Sequence, residues 1–406
     1  MGGRSGLTAV LLGTLFIGGI TACGAGDIDA GDRFTTTRSG DTVIVTTLAG
    51  PPGGATPLTD VRILWRSDSL NQPTQVAVVG SGTLAVADRE RIWVLGEEGA
   101  VRGMLGRDGE GPGEFRELGA IGGRGDSIVG LDLTNRRFAL FHAGGQLLAS
   151  GPLTVPEGFV LLVPSRVAFD DDGLLVGRRI LLVDPRYGDV VRYSWHGDTA
   201  TIHRVTGQPN VYSPSGSAMA AVMFGPKPTI GIGVDGRLAL TDGVDYCIDT
   251  FSADGAAPMR ICRMWERVRV TAAIRNPDYE AVIRESGRPA EMFTQLREIL
   301  ALVTIPERRN AIDGLFWDSE GRLWVQVVDA RSADIHPILS PWRSPDRLPP
   351  ETRWDVFAPD GRLIREFTLP RVFTPFDATA SQVVGLYETA EGDLAVAAIR
   401  LPPSTN

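Results

Sequence analysis

The stretch GRDGEGPGEF, residues 106–115, gathers glycines around acidic residues and closes on an aromatic. A loop of this kind can cradle a phosphate, hold a cation or turn a corner. The phosphate reading needs a strand before the loop and a helix opening after it. Phe115 leads instead into ELGAIGG, then DSIVGLD, RRFALFH and QLLAS. These are short apolar runs separated by turn residues, the pattern of strands joined by tight turns. The stretch therefore turns a corner. Its glycines suit positive φ and Pro112 fixes one dihedral. Phe115 is placed to anchor the corner beneath the next sheet. Four short antiparallel strands in succession form one blade of a β-propeller.

The unit resembles the NHL repeat in its GEGPGEF corner, in Asp132 at the end of its second strand, in Asn135 and in its RFALF third strand. SGTLAVADRERIWVLGEEGAVRGML is an earlier copy, with Asp88 in the place of Asp132. Looser copies begin at DDDGLLVGRR, VDGRLALTDG and DSEGRLWVQVVD, the last interrupted between its second and third strands. VVGLYETAEGDLAVAAIRL supplies two strands of a sixth, and DTVIVTT and DVRILWR from the N-terminal side are expected to complete it. Such closure ties the chain ends together and removes sheet edges. The expected fold is all-β: a six-bladed β-propeller of four-stranded antiparallel blades. Other parses of the weak copies give five or seven. The whole looks most like the six-bladed propeller lipoproteins of bacterial envelopes, a resemblance that brings no catalytic residue with it.

One segment, about 276–305, departs from the repeat. Asn276 with Pro277 is a helix-start signal, and Gly287 with Pro289 breaks the helix. Met292, Leu296, Ile299 and Val303 recur at helical spacing. This insertion between blades four and five is expected to lie as a lid at the channel mouth.

Residues 1–22 read as a leader: a charged start, then an apolar run too short for a comfortable transmembrane helix. It ends in ITAC, which resembles the lipobox of bacterial lipoproteins, with Cys23 as the acylated residue. That places the protein in the cell envelope, membrane-bound through its lipid, and Gly24 favours the outer membrane. Residues 23–40 read as a flexible tether and 41–406 as the propeller. The formal charge of −9, with arginines scattered among acids, gives no basic patch for nucleic acid.

Chemistry is harder to place. No CxxCH, CxxC or GxSxG motif occurs. EGPGEF resembles the segment that donates a Glu to a channel-bound cation in propeller lactonases, which makes Glu110 a candidate ligand for Ca²⁺, but the later Asn-bearing motifs are absent. His142, His196, His203 and His336 form no close pair of metal-ligand type. GRGDS, residues 123–127, fits the turn before IVGLD. Asp88, Asp132, Asp242 and Asp329 end second strands. Each can cap the following turn, or together they can form an acidic rim on one face of the channel.

Cys247 and Cys262 flank an outer hairpin of blade four. A four-residue turn over 253–256 sets Ser252 opposite Ala257, and the same register sets Cys247 opposite Cys262. Non-hydrogen-bonded partners have Cα atoms about 4.5 Å apart, within disulfide range. A two-residue turn also opposes the cysteines but puts Pro258 where a donor is needed. A disulfide is expected in an oxidising envelope. The expected function is non-catalytic binding of a protein, peptide or glycan on one face, without cofactor. The alternatives are a Ca-dependent lactonase or hydrolase and a structural scaffold.

Overall fold

A computed structural model describes residues 33–403 apart from 52–53, 66–72, 81, 158, 163–165, 182–183, 197, 207–209, 213–218, 222–225, 253–257, 277, 286–290, 292 and 331–349. Four strands come before the first blade: β1 (Phe34–Ser39), β2 (Thr42–Thr47), β3 (Thr56–Pro57) and β4 (Val61–Trp65). Blade one is β5 (Pro73–Val79), β6 (Thr83–Asp88), β7 (Arg91–Gly96) and β8 (Val101–Leu105). Blade two is β9 (Leu118–Arg124), β10 (Ser127–Asp132), β11 (Arg137–His142) and β12 (Leu147–Pro152). Blade three has β13 (Phe159–Leu162) and β14 (Ala168–Phe169) on its inner side, then β15 (Gly173–Leu181), β16 (Asp184–Ser194) and β17 (Thr199–Thr206). The hairpin β18 (Asn210–Tyr212) and β19 (Met219–Ala221) leads to blade four: β20 (Thr229–Ile232), β21 (Leu238–Thr241), β22 (Cys247–Phe251) and β23 (Met259–Arg263). Helices α1 (Ala272–Arg275), α2 (Tyr279–Glu285) and α3 (Phe293–Leu302) precede blade five: β24 (Ile312–Trp317), β25 (Leu323–Val327), β26 (Glu351–Phe357) and β27 (Leu363–Pro370). Blade six is β28 (Phe373–Ala378), β29 (Gln382–Glu388), β30 (Leu394–Arg400) and, as its outer strand, β4.

The core explains why six blades close. Each blade interface holds its own apolar cluster. Side chains alternate across a strand, so one blade serves two clusters. Ala77, Ala85 and Ile92 face blade two. Their neighbours Val76, Val78, Leu84 and Val86 face blade six. Trp324, Trp354 and Phe367 of blade five meet Phe373, Val383 and Ile399 of blade six. With both faces of each sheet buried, inner strands read as nearly continuous apolar runs.

The N-terminal strands depart from the sequence expectation. DVRILWR does close blade six, with Val61 opposite Ile399. DTVIVTT does not. As β2 it pairs in parallel with β23 at the outer edge of blade four, and β1 adds beyond it. β3 pairs in parallel with β27 of blade five. Blade six needs only one strand from elsewhere, because RVFTPFDA supplies its inner strand β28. The segment 33–65 is thus a strap laid along the outside of blades four, five and six. The expected tether over 23–40 ends in a strand, Phe34–Ser39.

The cysteine register is as derived. Cys247 lies opposite Cys262 and Thr250 opposite Met259. The two sulfurs are bonded, with Cα atoms 4.2 Å apart. The turn residues 253–257 lie outside the described residues. The bond spans 15 residues of sequence. Cys247→Ser with Cys262→Ser should therefore lower stability by about 3 kcal/mol through the freer unfolded chain. Urea unfolding without reductant checks this, and an unchanged midpoint would refute it.

Candidate functional site at the upper channel mouth

Strand direction defines two faces. The loops joining second to third strands and the connections between blades emerge together on what we term the upper face. The corner at 106–117, the β18–β19 hairpin and the helices all lie on it. The corner folds as expected. Gly106 takes φ +77°, and a Cβ there would sit 2.5 Å from the Phe115 ring. Phe115 is fully buried between blades one and two. Glu114 accepts hydrogen bonds from Gly111 N at 2.8 Å and Arg107 Nε at 2.7 Å. These donors hold its carboxyl below the usual range, the Gly111 amide first. Glu110 is exposed and pairs with Arg116 at 3.4 Å, and Arg137 donates to its carbonyl. With arginines on both its side chain and its carbonyl, the surroundings of Glu110 do not fit a cation.

The four candidate aspartates divide. Asp132 is fully buried and accepts from Arg116 N at 2.7 Å, Asn135 N at 2.9 Å and Asn135 Nδ2 at 2.9 Å. Asp88 is also buried and accepts from Trp93 Nε1 at 3.2 Å. Asp242 is exposed and accepts from Val244 N at 2.9 Å. Asp88, Asp132 and Asp242 thus hold the turns that they begin. The turns then fix the next blade. Arg89, Arg136 and Gly243 all have positive φ. Their carbonyls accept from Leu118 N and Ala311 N, at the start of the following inner strand, and from Leu153 N, just after β12. Asp329 is half-buried and lines a cleft of about 290 Å³ over blades five and six. Among the described residues, no three His, Cys, Asp or Glu side chains group as metal ligands.

That cleft carries the charges most suited to a ligand. Arg309 and Asp313 come from the lead-in and first strand of blade five, Arg371 and Thr374 from blade six. Lys227, the single lysine of the chain, donates to Asp313 Oδ1 and to its carbonyl, each at 3.0 Å. Partial burial pulls the Arg309 guanidinium below its ordinary range. Asp313 opposes this, and Arg371 adds to it. Arg371 is lowered in the same way by burial, again opposed by Asp313. Both stay charged at neutral pH. Trp354, Phe373 and Pro375 give the cleft an apolar side. Sequence reading missed this site because its residues come from two blades and share no motif. The one local signal was the isolated lysine. A larger cleft, about 420 Å³, lies between blades three and four. In it Arg260 pairs with Asp249 at 2.6 and 2.9 Å, and Arg204 with Asp189 at 3.0 Å.

The channel is closed below this mouth. Arg166 of blade three pairs with Asp377 of blade six, the blade opposite in the ring, and both are buried. Arg166 also donates to the Trp317 carbonyl at 2.9 Å. Asp377 accepts from Val78 N at 2.8 Å, Ser319 N at 3.1 Å and Ala378 N at 2.8 Å. Blades one, three, five and six thus meet on one ion pair near the lower end. Burial pulls the Arg166 guanidinium down to about 10, against the pull of Asp318.

The helical insertion departs in detail from expectation. Asn276 ends α1 rather than starting a helix, and Asp278 caps α2 by accepting from Ala281 N at 3.0 Å. Glu280 and Arg297 latch α2 to α3 at 2.7 Å. Helix α3 lies against β19 of the neighbouring connection. Ile283 of α2 and Leu300 of α3 are buried. Met292 lies outside the described residues, as do the side chains of Leu296 and Ile299. His142 is exposed and accepts from Gly144 N at 2.9 Å, and the His203 ring packs tilted against Phe251, centroids 4.7 Å apart. GRGDS forms the turn between β9 and β10, with Gly125 at φ +55°. Cys23 and His336 lie outside the described residues.

No family model matches the chain, and no curated protein matches it in sequence. Among solved structures, a member of the DUF4221 family from Bacteroides vulgatus is 12% identical with a TM-score of 0.49, covering 84% of this chain and 98% of that one. A protein of Bacteroides fragilis, predicted to be exported, is 12% identical with a TM-score of 0.47, covering 88% and 99%. Virginiamycin B lyase from Staphylococcus aureus is 11% identical with a TM-score of 0.35, covering 86% and 89%. Likenesses this distant carry no argument about activity or ligand, and the propeller is established by its own strand pairing.

Proposed function

We propose that the chain is a non-catalytic propeller of the bacterial envelope, anchored by a lipid on Cys23, that binds a protein, peptide or glycan over its upper mouth. The observation that carries the binding reading is the adjacent pair Arg309 and Arg371 in a half-buried cleft, above a channel closed at its lower end. Guanidinium forks recognise carboxylates and phosphates in two-pronged geometry. The ligand is therefore expected to present an anionic group beside hydroxyls or amides, as an acidic glycan or a peptide carboxylate does. The anchor reading rests on ITAC and the leader before it.

Two measurements test the proposal. Mass spectrometry of the mature N-terminus should find acylated Cys23, and an unmodified Cys23 would overturn the anchor. A photo-crosslinking residue at Gln326, in the cleft, should capture an envelope component that the same residue at Asp235, on the lower face, does not. Arg309→Ala with Arg371→Ala should weaken capture on the order of tenfold or more, as expected from losing hydrogen bonds to a charged group. Equal capture from both faces would sink the cleft as the site.

A further inference from the structure

The strap fixes where the N-terminal segment joins the body. β23 runs toward the upper face, β2 is parallel to it, and β1 runs back, so Phe34 stands opposite Thr47 and Thr47 beside Arg263. The chain therefore enters at the upper rim of blade four. The Arg33 carbonyl accepts there from Leu48 N at 2.8 Å and Ala49 N at 3.3 Å. Only nine residues lie between Cys23 and Arg33, ten steps along the chain and a reach of at most about 35 Å when fully extended.

The same rim carries the most exposed large apolar residue described, Met264, at 67%, next to Leu48 at 39%. Met264 N donates to the Thr47 carbonyl at 2.9 Å, so the two apolar side chains are held at one end of adjacent strands. Arginines come directly after. Arg267 and Arg308 are linked through backbone carbonyls at 3.3 and 2.8 Å, and Arg269 bridges to Arg308. Asp245 and Glu266 offset only part of this charge, at 3.9 Å from Arg267 and 3.8 Å from Arg308. Arg33 and Arg269 are exposed and make no ion pair among the described residues. In a chain of formal charge −9, cations concentrated at the tether's point of entry need a particular partner.

We propose that the upper rim of blade four docks on an anionic lipid surface, with Met264 and Leu48 entering the interface and Arg33, Arg267, Arg269 and Arg308 meeting the headgroups. The occupant is argued from the tether's length, its point of entry and charge complementarity. The proposal rests on the anchor reading above. Each arginine near an anionic surface strengthens association about fivefold, and salt weakens it. Docking of this kind turns the upper cleft toward the bilayer, so its ligand would be met close to the membrane.

The test uses the mature acylated protein on phosphatidylethanolamine vesicles with and without phosphatidylglycerol. Flotation reports the anchor, and backbone hydrogen exchange reports the face. Expected is slowed exchange over 264–270 and 47–49 on the anionic vesicles, reversed by high salt, with the lower turns at 124–127 and 234–237 unchanged. Met264→Asp with Arg269→Glu should still float and melt normally but lose that protection. Floating protein without the footprint, or with it on the lower turns, overturns docking and leaves the anchor standing. Protein that does not float overturns both.

Discussion

Asp377→Ala should lower the stability of the propeller by about 3–5 kcal/mol, the usual result of removing one member of a buried ion pair. The cost is not that of one lost contact. Arg166 would stay buried, its charge answered among the described residues by the Trp317 carbonyl and the field of Asp318. The amides of Val78 and Ala378 would lose the Asp377 carboxylate as acceptor at the same time, and Ser319 N would keep only its bond to the Ala378 carbonyl at 3.2 Å among the described residues. Four blades would be loosened by a single change. Replacing the pair by apolar residues, Arg166→Met with Asp377→Leu, removes the stranded charge and should recover a large part of the loss. Urea unfolding of the parent and the two variants at constant slope checks this. If Asp377→Ala is as stable as the parent, the pair does not hold the ring.

Phe115→Ala should cost a comparable amount, about 3–5 kcal/mol, as large-to-small changes of fully buried aromatics do. Phe115 has no exposed surface. Its ring lies 6.1 Å from that of Phe141, and a Cβ added at Gly130 would come within 2.8 Å of it. Gly106 presses on it from the other side. The blades cannot collapse to fill the space without moving β10, so the cavity persists. Glu110→Ala, five residues away on the same corner, should stay within about 0.5 kcal/mol because its side chain is exposed. Equal losses for the two variants would mean that the corner acts through its acids and not through its aromatic.

These two residues also show how far the sequence could be read. Phe115 was legible because a local pattern, glycines then an aromatic before a strand, has one steric meaning. The Cys247–Cys262 register was legible for the same reason: a turn length fixes every pair behind it. Asp377 was not, because its partner lies 211 residues away and neither residue belongs to a motif. β28 was missed because Pro375 and Asp377 interrupt its apolar run. The strap was only half read. Val61–Trp65 meets a full strand and has a strand's composition, whereas Thr56–Pro57 is two residues long and says nothing of its parallel partner. For all four aspartates the sequence left turn capping and an acidic rim open alike, and what distinguishes Asp329 is the cleft beside it, assembled from blades that sequence spacing does not relate.

The strap along blades four to six sets an order in time. β4 is synthesised before any blade exists, and β30, against which it closes, is the last strand described, with Val61 waiting for Ile399. β2 and β3 wait likewise for Met259–Arg263 and Leu363–Pro370. Contacts so distant along the chain form slowly, since the entropy of a long loop is lost before any contact offsets it. Through most of synthesis, strands that later seal the ring are unpaired edges open to the wrong partner. A chain cut short by even its last strand would leave β4 with nowhere to go.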